Sequence, residues 1–342
     1  MNRVTVIIPH WNGEGILRRC LLSLRRTRGV RFRTLVVDNG SGDGSAAMVR
    51  RDFPEAGLVQ SPENIGFAGG CNLGLRYADT PYAALLNNDA EAEPDWLRRL
   101  VAAADADANL AAVAPKMMSL DRPDRFDYSG AAGGEMDIFG FPFCRGRIFD
   151  TVEEDRGQYD AGGPVFWATG AACLLRMSAL ARVGLLDESF FAHMEEIDLA
   201  WRLQAAGYGI AVVPSAVVRH QSGGTLGSGR MRKMILNHRN SLMMLMKNLP
   251  AADLAWILPV RLFLESAAAC GGLVIGQPKR FWAVPAAVAA VIGRLPSLLR
   301  ARHKTQAMAP GAGIPRSLYR GSIVWEYYIR GARRARDLRR RV

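Results

Sequence analysis

Short apolar runs alternate with helical patterns over the first 115 residues, and this alternation most constrains the fold. Residues 4–8, 34–37 and 83–86 are runs of strand length in which every residue is apolar or threonine. Between the first two runs, apolar side chains recur at helical spacing from Ile16 to Leu24. Strands separated by helices predict an α/β fold, with a doubly wound, mainly parallel sheet.

Polar side chains follow two of these predicted strands at the point where each strand ends. Asp38 comes directly after the second run and precedes a Gly/Ser-rich loop, while Asn87, Asn88 and Asp89 follow the run at 83–86. Ligands of open parallel sheets bind at the carboxyl ends of the strands. We therefore expect these residues to border a ligand site.

Asp89 allows two interpretations from its position alone. Its carboxylate could bind a hard divalent cation that bridges a diphosphate, because Mg²⁺ and Mn²⁺ prefer oxygen ligands. Asn and Asp are also common in turns, where they cap the helix that follows. His220, after another apolar segment, is similarly either a metal ligand or a core histidine.

Three carboxylates, Glu195, Glu196 and Asp198, are crowded into the first turn of a predicted helix over residues 195–206. Repulsion between them should raise at least one pKa, as a general base requires. The alternative is a well-capped helix start, since a helix N-terminus favours negative charge. The cluster alone does not decide between the two.

Residues 64–72 place three glycines ahead of another predicted helix. Such a segment lets the backbone approach a ligand and present amides to phosphate, or it forms a close-packed turn. It does not match G-x-G-x-x-G, and the P-loop pattern G-x-x-x-x-G-K-[ST] is absent from the chain. A dinucleotide dehydrogenase or a nucleoside triphosphatase is therefore disfavoured.

Charge divides the chain into two parts. Residues 226–342 carry 21 Lys and Arg against 4 Asp and Glu, while residues 1–225 carry 23 against 28. The basic part contains two apolar helical segments at 254–275 and 281–292, which charged residues interrupt. Because no uncharged run reaches the length of a membrane span, we expect no spanning helix. Five cysteines without a C-x-x-C pair favour a reducing compartment.

The motifs occur together in an order that resembles the family 2 inverting glycosyltransferases of the GT-A fold. The similarity covers about residues 3–250 and is greatest to bacterial rhamnosyl- and galactofuranosyltransferases. Seven segments in order are a far more specific signal than any one of them. The segments are residues 6–12, 36–41, 64–72, 86–89, 168–171, 190–199 and 218–220.

This resemblance implies a GT-A catalytic domain over residues 1–225 and a basic, amphipathic helical region over 226–342. Within the catalytic domain, 1–115 would be the nucleotide-binding half and 116–225 the half with the acceptor site and the base. The apolar and basic residues of the C-terminal region suit an anionic membrane surface. The alternative is that they pack on the catalytic domain or on a second subunit of a homo-oligomer.

Site residues are carried over from the matching motifs. Glu196 takes the place of the acceptor base, where many relatives have Asp, with Glu195 and Asp198 as less favoured alternatives. Asn87 replaces the first Asp of the D-x-D metal motif, so Asp89 and His220 would hold Mn²⁺ or Mg²⁺. The implied nucleotide-sugar-binding residues are Pro9, Asn12, Asp38, Asn64, Gly66, Asn72, Asn88, Asp89 and Gly170.

The implied function is inverting, metal-dependent, non-processive hexosyl transfer in cell-surface polysaccharide synthesis. The donor would be a nucleotide-diphospho-sugar such as dTDP-rhamnose or a UDP-sugar, and the acceptor a glycan or a lipid-linked sugar. Single in-line displacement needs no covalent intermediate and inverts the anomeric centre. We expect the protein to be cytoplasmic and peripheral on the inner face of the cell membrane.

Three competing functions are disfavoured. A processive polysaccharide synthase would carry Q-x-x-R-W after the base, but residues 230–234 lack the Trp. A nucleic-acid-binding protein would use the basic region, yet its cations are interleaved with apolar residues that suit a membrane better than a phosphate groove. A catalytically inactive, nucleotide-binding relative is disfavoured by the presence of Asp89, Glu196 and His220.

Overall fold

The computed structural model describes residues 1–221 and 231–338. The predicted domain boundary at 225/226 and the last three arginines of the basic C-terminus lie outside these residues. Strands and helices alternate over the first 115 residues as predicted. The strands are β1 (Val4–His10), β2 (Phe32–Asp38), β3 (Gly57–Gln60), β4 (Tyr82–Leu86), β5 (Ala90–Ala92), β6 (Leu110–Ser119), β7 (Gly134–Met136), β8 (Pro142–Cys144), β9 (Arg147–Ile148), β10 (Thr151–Val152), β11 (Gly163–Pro164), β12 (Ala172–Arg176) and β13 (Gly209–His220).

Helices follow the same order along the chain, and a short 3₁₀ turn at Glu188–Phe190 precedes the helix with the three carboxylates. The helices are α1 (Glu14–Arg25), α2 (Ser45–Asp52), α3 (Gly66–Arg76), α4 (Trp96–Ala106), α5 (Met177–Val183), α6 (Glu195–Ala205), α7 (Met231–Asn248), α8 (Ala251–Val274), α9 (Pro278–Ile292), α10 (Leu295–Met308) and α11 (Ile323–Tyr328).

A nine-stranded mixed sheet forms the centre of the molecule. Its order is β11-β13-β6-β12-β4-β1-β2-β3, and β5 pairs with β13 outside this path. Parallel pairs join β1 to β2 and β4, β2 to β3, and β6 to β13. The expected doubly wound, largely parallel α/β fold is therefore confirmed, with β12 as an antiparallel strand between β4 and β6.

The direction of β12 follows from the chain that leads into it. Residues 120–171 leave the sheet after β6 and return to it at the same edge, where β4 also ends. Ala172 therefore pairs with Leu86, the last residue of β4, and β12 runs antiparallel to β4. This excursion was expected to contain loops and short strands. It forms the small antiparallel sheet β10-β9-β8-β7.

Alternate side chains of each central strand enter two separate cores, as the two-residue period of a strand requires. Val6 and Ile8 contribute to the core beneath α1, α2 and α4, whereas Ile7 contributes to the core beneath α3, α5 and α6. Both faces of the sheet are therefore covered by helices. The carboxyl edge of the sheet is left for the site.

Helices α7 to α10 continue the chain beyond the sheet, and α7 packs against α6, α9 and α10. By length and composition α8 is apolar enough to cross a membrane, and α9 with α10, bent by 70°, could form a second such element. The search for uncharged runs did not select α8, because two charged residues divide its apolar sequence. Arg261 and Glu265 interrupt the α8 run but form a buried ion pair at 2.5 Å.

Candidate active site

The carboxyl ends of β1, β2 and β4 bring the predicted polar residues to one edge of the sheet. His10 is paired with Asp38 in the parallel register of β1 and β2, and Asn87 to Asp89 follow directly after β4. The Asn87 backbone N–H donates to the Ala171 carbonyl oxygen at 2.8 Å. This bond connects the strand end to the turn that contains Gly170.

His220 reaches Asp89 because β13 pairs antiparallel with β5, in a register that sets His220 opposite Ala90. Its Nε2 lies 3.0 Å from Asp89 Oδ1 and 3.3 Å from Asn87 Nδ2. On the other side of the ring, Nδ1 lies 2.9 Å from Asp127 Oδ1. The predicted pair of metal-competent residues is thus in contact.

Two carboxylates control the charge of this histidine. Burial by itself lowers the pKa of His220, but the hydrogen bonds with Asp127 and Asp89 outweigh it and raise the pKa to about 10. The ring is therefore protonated at neutral pH when no other cation is near it. A bound divalent cation would replace this proton as the positive charge between the groups.

Asp127 is a site residue that the sequence interpretation missed. It belongs to the Gly-rich excursion between β6 and β7, where weak periodicity indicated no element. It is 2 % exposed, and its Oδ1 also accepts a hydrogen bond from the Ser129 backbone N–H at 2.8 Å. Second carboxylates of this kind fix the ring orientation of a metal-binding histidine.

The residues around Asp89 suit a divalent cation that is shared with a diphosphate. Within residues 1–221 and 231–338, no group of three or more His, Cys, Asp or Glu side chains is arranged to hold a metal alone. Asp89 Oδ1 is buried against the His220 ring, while the buried Asn87 Oδ1 has no hydrogen-bond partner among the described residues. Mg²⁺-type sites often combine one or two such ligands with phosphate oxygens and water.

Glu196 lies next to Gly170, which brings together residues from two of the separate motifs. A Cβ at Gly170 would be 3.7 Å from Glu196 Cβ, and the Gly170 backbone N–H donates to the Glu196 carboxylate. Burial raises the Glu196 pKa from 4.5 to about 7, against the opposing effect of backbone hydrogen bonds. Burial and the adjacent Glu196 charge raise the pKa of Glu195 well above its usual value. The repulsion expected from the sequence is therefore present.

Asp198 has a different environment from the two glutamates. Its side chain is fully buried and accepts hydrogen bonds from Arg202 Nε at 2.9 Å, Lys247 Nζ at 2.8 Å and Asn248 Nδ2 at 2.8 Å. These bonds attach α6 to α7. The Asp198 carboxylate is engaged by two cations and an amide inside the protein, whereas Glu196 Oε2 has no hydrogen-bond partner among the described residues, which favours Glu196 over Asp198 as the base.

The segment before the glutamates is held in an uncommon backbone conformation. Phe191, His193 and Met194 have φ values of 65°, 72° and 74°, in the left-handed region that non-glycine residues rarely adopt. Asn240 Nδ2 lies 3.0 Å or less from the carbonyl oxygens of Phe190, Ala192 and His193. Asn240, a residue on α7 that no sequence signal indicated, therefore fixes the start of α6.

Asp38 and its neighbour Asn39 organise the predicted nucleoside side of the site. Asp38 accepts hydrogen bonds from the Ser41 backbone N–H and from Gln60 Nε2, both at 3.0 Å. Asn39, which the sequence interpretation did not select, donates to the Gly66 carbonyl at 2.9 Å and to Asn64 Oδ1 at 3.2 Å. The two predicted residues Asn64 and Gly66 are thus attached to the end of β2.

Gly66 lies against the backbone of the segment that precedes α6. Its φ is +81°, and a Cβ there would lie 2.5 Å from the Phe191 carbonyl oxygen. Only glycine fits this contact with the segment before α6. Pro9 lies on the opposite wall, where a Cβ at Gly70 would be 3.5 Å from the proline Cβ.

Three further predicted residues make protein contacts at this edge. Asn12 joins two loops, with its backbone N–H 2.9 Å from Ser41 Oγ. Asn88 Nδ2 lies 2.8 Å from His10 Nδ1. Asn72 is buried, and it donates to the Leu186 carbonyl at 2.8 Å and accepts from the Leu186 N–H at 3.0 Å. Donor contacts by these residues stay predictions.

Unpartnered buried polar atoms are concentrated in this part of the described chain. Leaving such atoms without a hydrogen bond costs about 1–3 kcal/mol each, so they indicate where a polar ligand would bind. Burial also keeps His10 and His193 neutral by lowering their pKa values, that of His193 to about 4. The atoms are His10 Nε2, Asn87 Oδ1, His193 Nε2, Glu195 Oε2 and Glu196 Oε2.

Comparison with known protein families identifies the class of protein. A family model described as glycosyl transferase family 2 matches residues 5–183, and one described as glycosyl transferase family group 2 matches residues 148–295. The protein is therefore a glycosyltransferase enzyme. The chain belongs to glycosyl transferase family 2, as the motif order predicted.

Two curated relatives from Mycobacterium tuberculosis are similar in sequence. One is N-acetylglucosaminyl-diphospho-decaprenol L-rhamnosyltransferase, 28% identical over 271 residues that cover 73% of this chain and 87% of the relative. The other is pre-mycofactocin glycosyltransferase, 31% identical over 226 residues, 64% of this chain and 42% of the relative. The predicted similarity to bacterial rhamnosyltransferases is confirmed.

Solved structures show the same fold at low sequence identity. GalNAc-T7 with UDP, GalNAc and Mn²⁺ aligns with a TM-score of 0.60 at 12% identity, over 86% of this chain and 57% of that chain. The mannosyltransferase PcManGT of Pyrobaculum calidifontis, in complex with GDP-Man and Mn²⁺, aligns with a TM-score of 0.53 at 20% identity, over 90% and 80%. The predicted GT-A fold is confirmed.

Proposed function

We propose that this enzyme transfers a sugar from a nucleotide-diphospho-sugar to a lipid-linked or glycan acceptor, with inversion, in the synthesis of a cell-envelope polysaccharide. The observation that carries the proposal is the position of Glu196. Its carboxyl has a pKa of about 7 beside Gly170, and the Gly170–Ala171 turn is hydrogen-bonded to the end of β4. A base that ionises near the working pH lies at the same edge of the sheet as Asp89 and His220.

Glu196 acts as the general base in this proposal. A sugar hydroxyl is a weak nucleophile, and loss of its proton to Glu196 Oε2 as the bond to the donor C1 forms lowers the barrier. The buried Oε2 has no hydrogen-bond partner among the described residues, so it is available for the hydroxyl proton. Burial and the adjacent Glu196 charge also raise the pKa of Glu195, which disfavours a second negative charge beside the base.

Asp89 and His220 would hold a divalent cation, Mn²⁺ or Mg²⁺, and such a cation would neutralise charge on the leaving nucleoside diphosphate. With the cation in place, Asp127 would accept a hydrogen bond from the His220 Nδ1–H, and the Nε2 lone pair would be left for the cation. Asn87, which replaces the first carboxylate of the family motif, supplies an amide oxygen at the same place. This set of metal ligands carries fewer negative charges than D-x-D. The cation would therefore depend more on diphosphate oxygens for its coordination.

The nucleotide binds against the ends of β1 and β2 in this proposal. Asp38 and Asn12 face the nucleoside from one side, and Asn64 and Gly66 from the other. The rhamnosyltransferase relative favours dTDP-rhamnose as the donor, with a UDP-sugar as the second choice, and a lipid-diphosphate acceptor. A panel of nucleotide sugars, with release of nucleoside diphosphate as the readout, identifies the donor.

The C-terminal helices bind the inner face of the cytoplasmic membrane without crossing it. Arg261 of α8 donates to the Phe139 carbonyl at 2.7 Å and stacks on Phe141 at 3.7 Å, which ties the middle of α8 to the catalytic domain. The outer face of the same helix exposes Phe263 (71%) and Val274 (87%). A helix attached on one side and apolar on the other fits an in-plane position at a membrane surface.

A further inference from the structure

A cleft of about 650 Å³ lies between the segment before the base and the C-terminal helices. Three arginines line it, Arg232 and Arg239 from α7 and Arg294 from the turn between α9 and α10. Apolar side chains of α7, including Ile235, form another part of its wall. The cleft therefore combines positive charge with apolar surface, as a site for an amphiphilic anion does.

None of the three arginines forms an ion pair with a carboxylate in the described part of the chain. Burial and the charges of Arg294 and Arg232 lower the pKa of Arg239, so the cations repel one another. The acidic residue at the cleft, Glu188, is engaged by Arg76 at 2.7 Å. An anion bound here would relieve the repulsion, and guanidinium groups match phosphate oxygens in a bidentate manner.

The cleft also adjoins the catalytic segment. Arg232 stacks on the Phe191 ring at 4.5 Å, and Phe191 lines the cleft five residues before Glu196. Arg239 donates to the Phe190 carbonyl at 2.9 Å. An anionic group in the cleft is therefore held against the segment that positions the base.

Apolar surface continues from the cleft along α9 and α10. Ile292, 65% exposed, precedes Arg294 by two residues, and Leu299, 53% exposed, lies farther along α10. A ligand whose phosphates contact the arginines could therefore place a hydrocarbon chain on this surface. A free phosphate would gain nothing from these exposed side chains.

We propose that Arg232, Arg239 and Arg294 bind the diphosphate of a prenyl-diphosphate-linked sugar acceptor, with the prenyl chain along α9 and α10. This inference rests on the proposed function and specifies its acceptor. A diphosphate diester spreads its charge over two adjacent phosphates, which suits neighbouring guanidinium groups. The acceptor sugar then extends from the cleft past Phe191 towards Glu196.

The test uses the full chain with Arg232→Gln, Arg294→Gln and the double variant, and Arg300→Gln as a matched control. Arg300 is an exposed arginine of α10 that does not line the cleft. With a short-chain prenyl-diphospho-N-acetylglucosamine in detergent, each cleft variant should raise the acceptor KM about tenfold, as loss of a charge-assisted hydrogen bond does. The donor KM and kcat should change less than about twofold, and Arg300→Gln should match the wild type.

Direct binding separates this inference from the proposed function and from general lipid binding. Farnesyl diphosphate should bind the wild-type protein more tightly than farnesyl monophosphate, and the double variant should lose this preference. If the variants keep their acceptor KM, the inference is overturned. If they lose only binding to phosphatidylglycerol vesicles, the inference is also overturned, and the cleft contacts membrane headgroups. If farnesyl diphosphate binding depends on the arginines but no prenyl-linked acceptor is glycosylated, the cleft is supported and the proposed function fails.

Discussion

Replacing Glu196 by Gln should remove the base while keeping the shape of the side chain. Because the carboxyl with a pKa near 7 is the proposed proton acceptor, kcat should fall by about 10²- to 10⁴-fold, as removal of a general base does. Binding of nucleoside diphosphate should be unchanged. Release of nucleoside diphosphate in the presence of acceptor measures the first quantity, and calorimetry measures the second.

The same substitution should change stability in a pH-dependent way. Folding raises the Glu196 pKa from 4.5 to about 7, so the folded wild type keeps a proton that the unfolded chain releases between these pH values. Its contribution to stability is complete below pH 4.5 and is lost as the pH rises through 7. The loss is at most about 3 kcal/mol, because the side chain keeps some contact with solvent.

Gln cannot ionise, so the variant does not suffer this loss. Urea unfolding should give equal free energies of unfolding for the two proteins near pH 4.5, and a more stable variant at pH 8. Asp198→Asn is the control: it breaks a buried ion pair with Lys247 and should destabilise the protein by about 3 kcal/mol at both pH values. A Glu196→Gln enzyme with normal turnover, or a pH-independent stability difference, would refute the reasoning.

Three further predictions concern the metal site, the close contact and the membrane. Asp127→Asn should weaken Mn²⁺-dependent binding of nucleoside diphosphate about tenfold in calorimetry, since it no longer orients the histidine; equal affinity with and without the change would contradict this. Gly66→Ala should cost about 2 kcal/mol or more in urea unfolding, because its Cβ would meet the Phe191 carbonyl, and an unaffected midpoint would argue against that contact. Replacing Lys279 and Arg280, near the start of α9, by Glu should reduce the fraction of protein that floats with anionic liposomes at low salt about tenfold or more. With neutral liposomes, the variant and the wild type should not differ.

The sequence allowed the sheet edge to be predicted because its signals are local. Apolar runs followed at once by Asp38 or by Asn87 to Asp89 identify both a strand and its end. The placement of His220 beside Asp89 was implied only by resemblance to a family. Its physical origin is the register of β13 on β5, a pairing between distant segments that no local pattern specifies.

Other parts of the site depend on contacts between segments that are far apart in sequence. Asp127 lies in a Gly-rich excursion and becomes significant only where that excursion folds back over β13. Asn240 has no distinguishing local sequence signal. Its contacts with the segment before α6 form only because α7 packs beside that segment. The Arg261–Glu265 pair made α8 look more polar than it is, because the pairing of the charges is a tertiary feature.

The configuration of the product tests the central claim most directly. With a nucleotide sugar of known anomeric configuration and a prenyl-diphosphate-linked acceptor, NMR of the new glycosidic bond reports whether a single displacement has occurred. The account predicts that the wild-type enzyme forms a product whose configuration at C1 is opposite to that of the donor. The Glu196→Gln variant should fail to form this product. A product with the configuration of the donor, or one formed equally well without the Glu196 carboxylate, would contradict it.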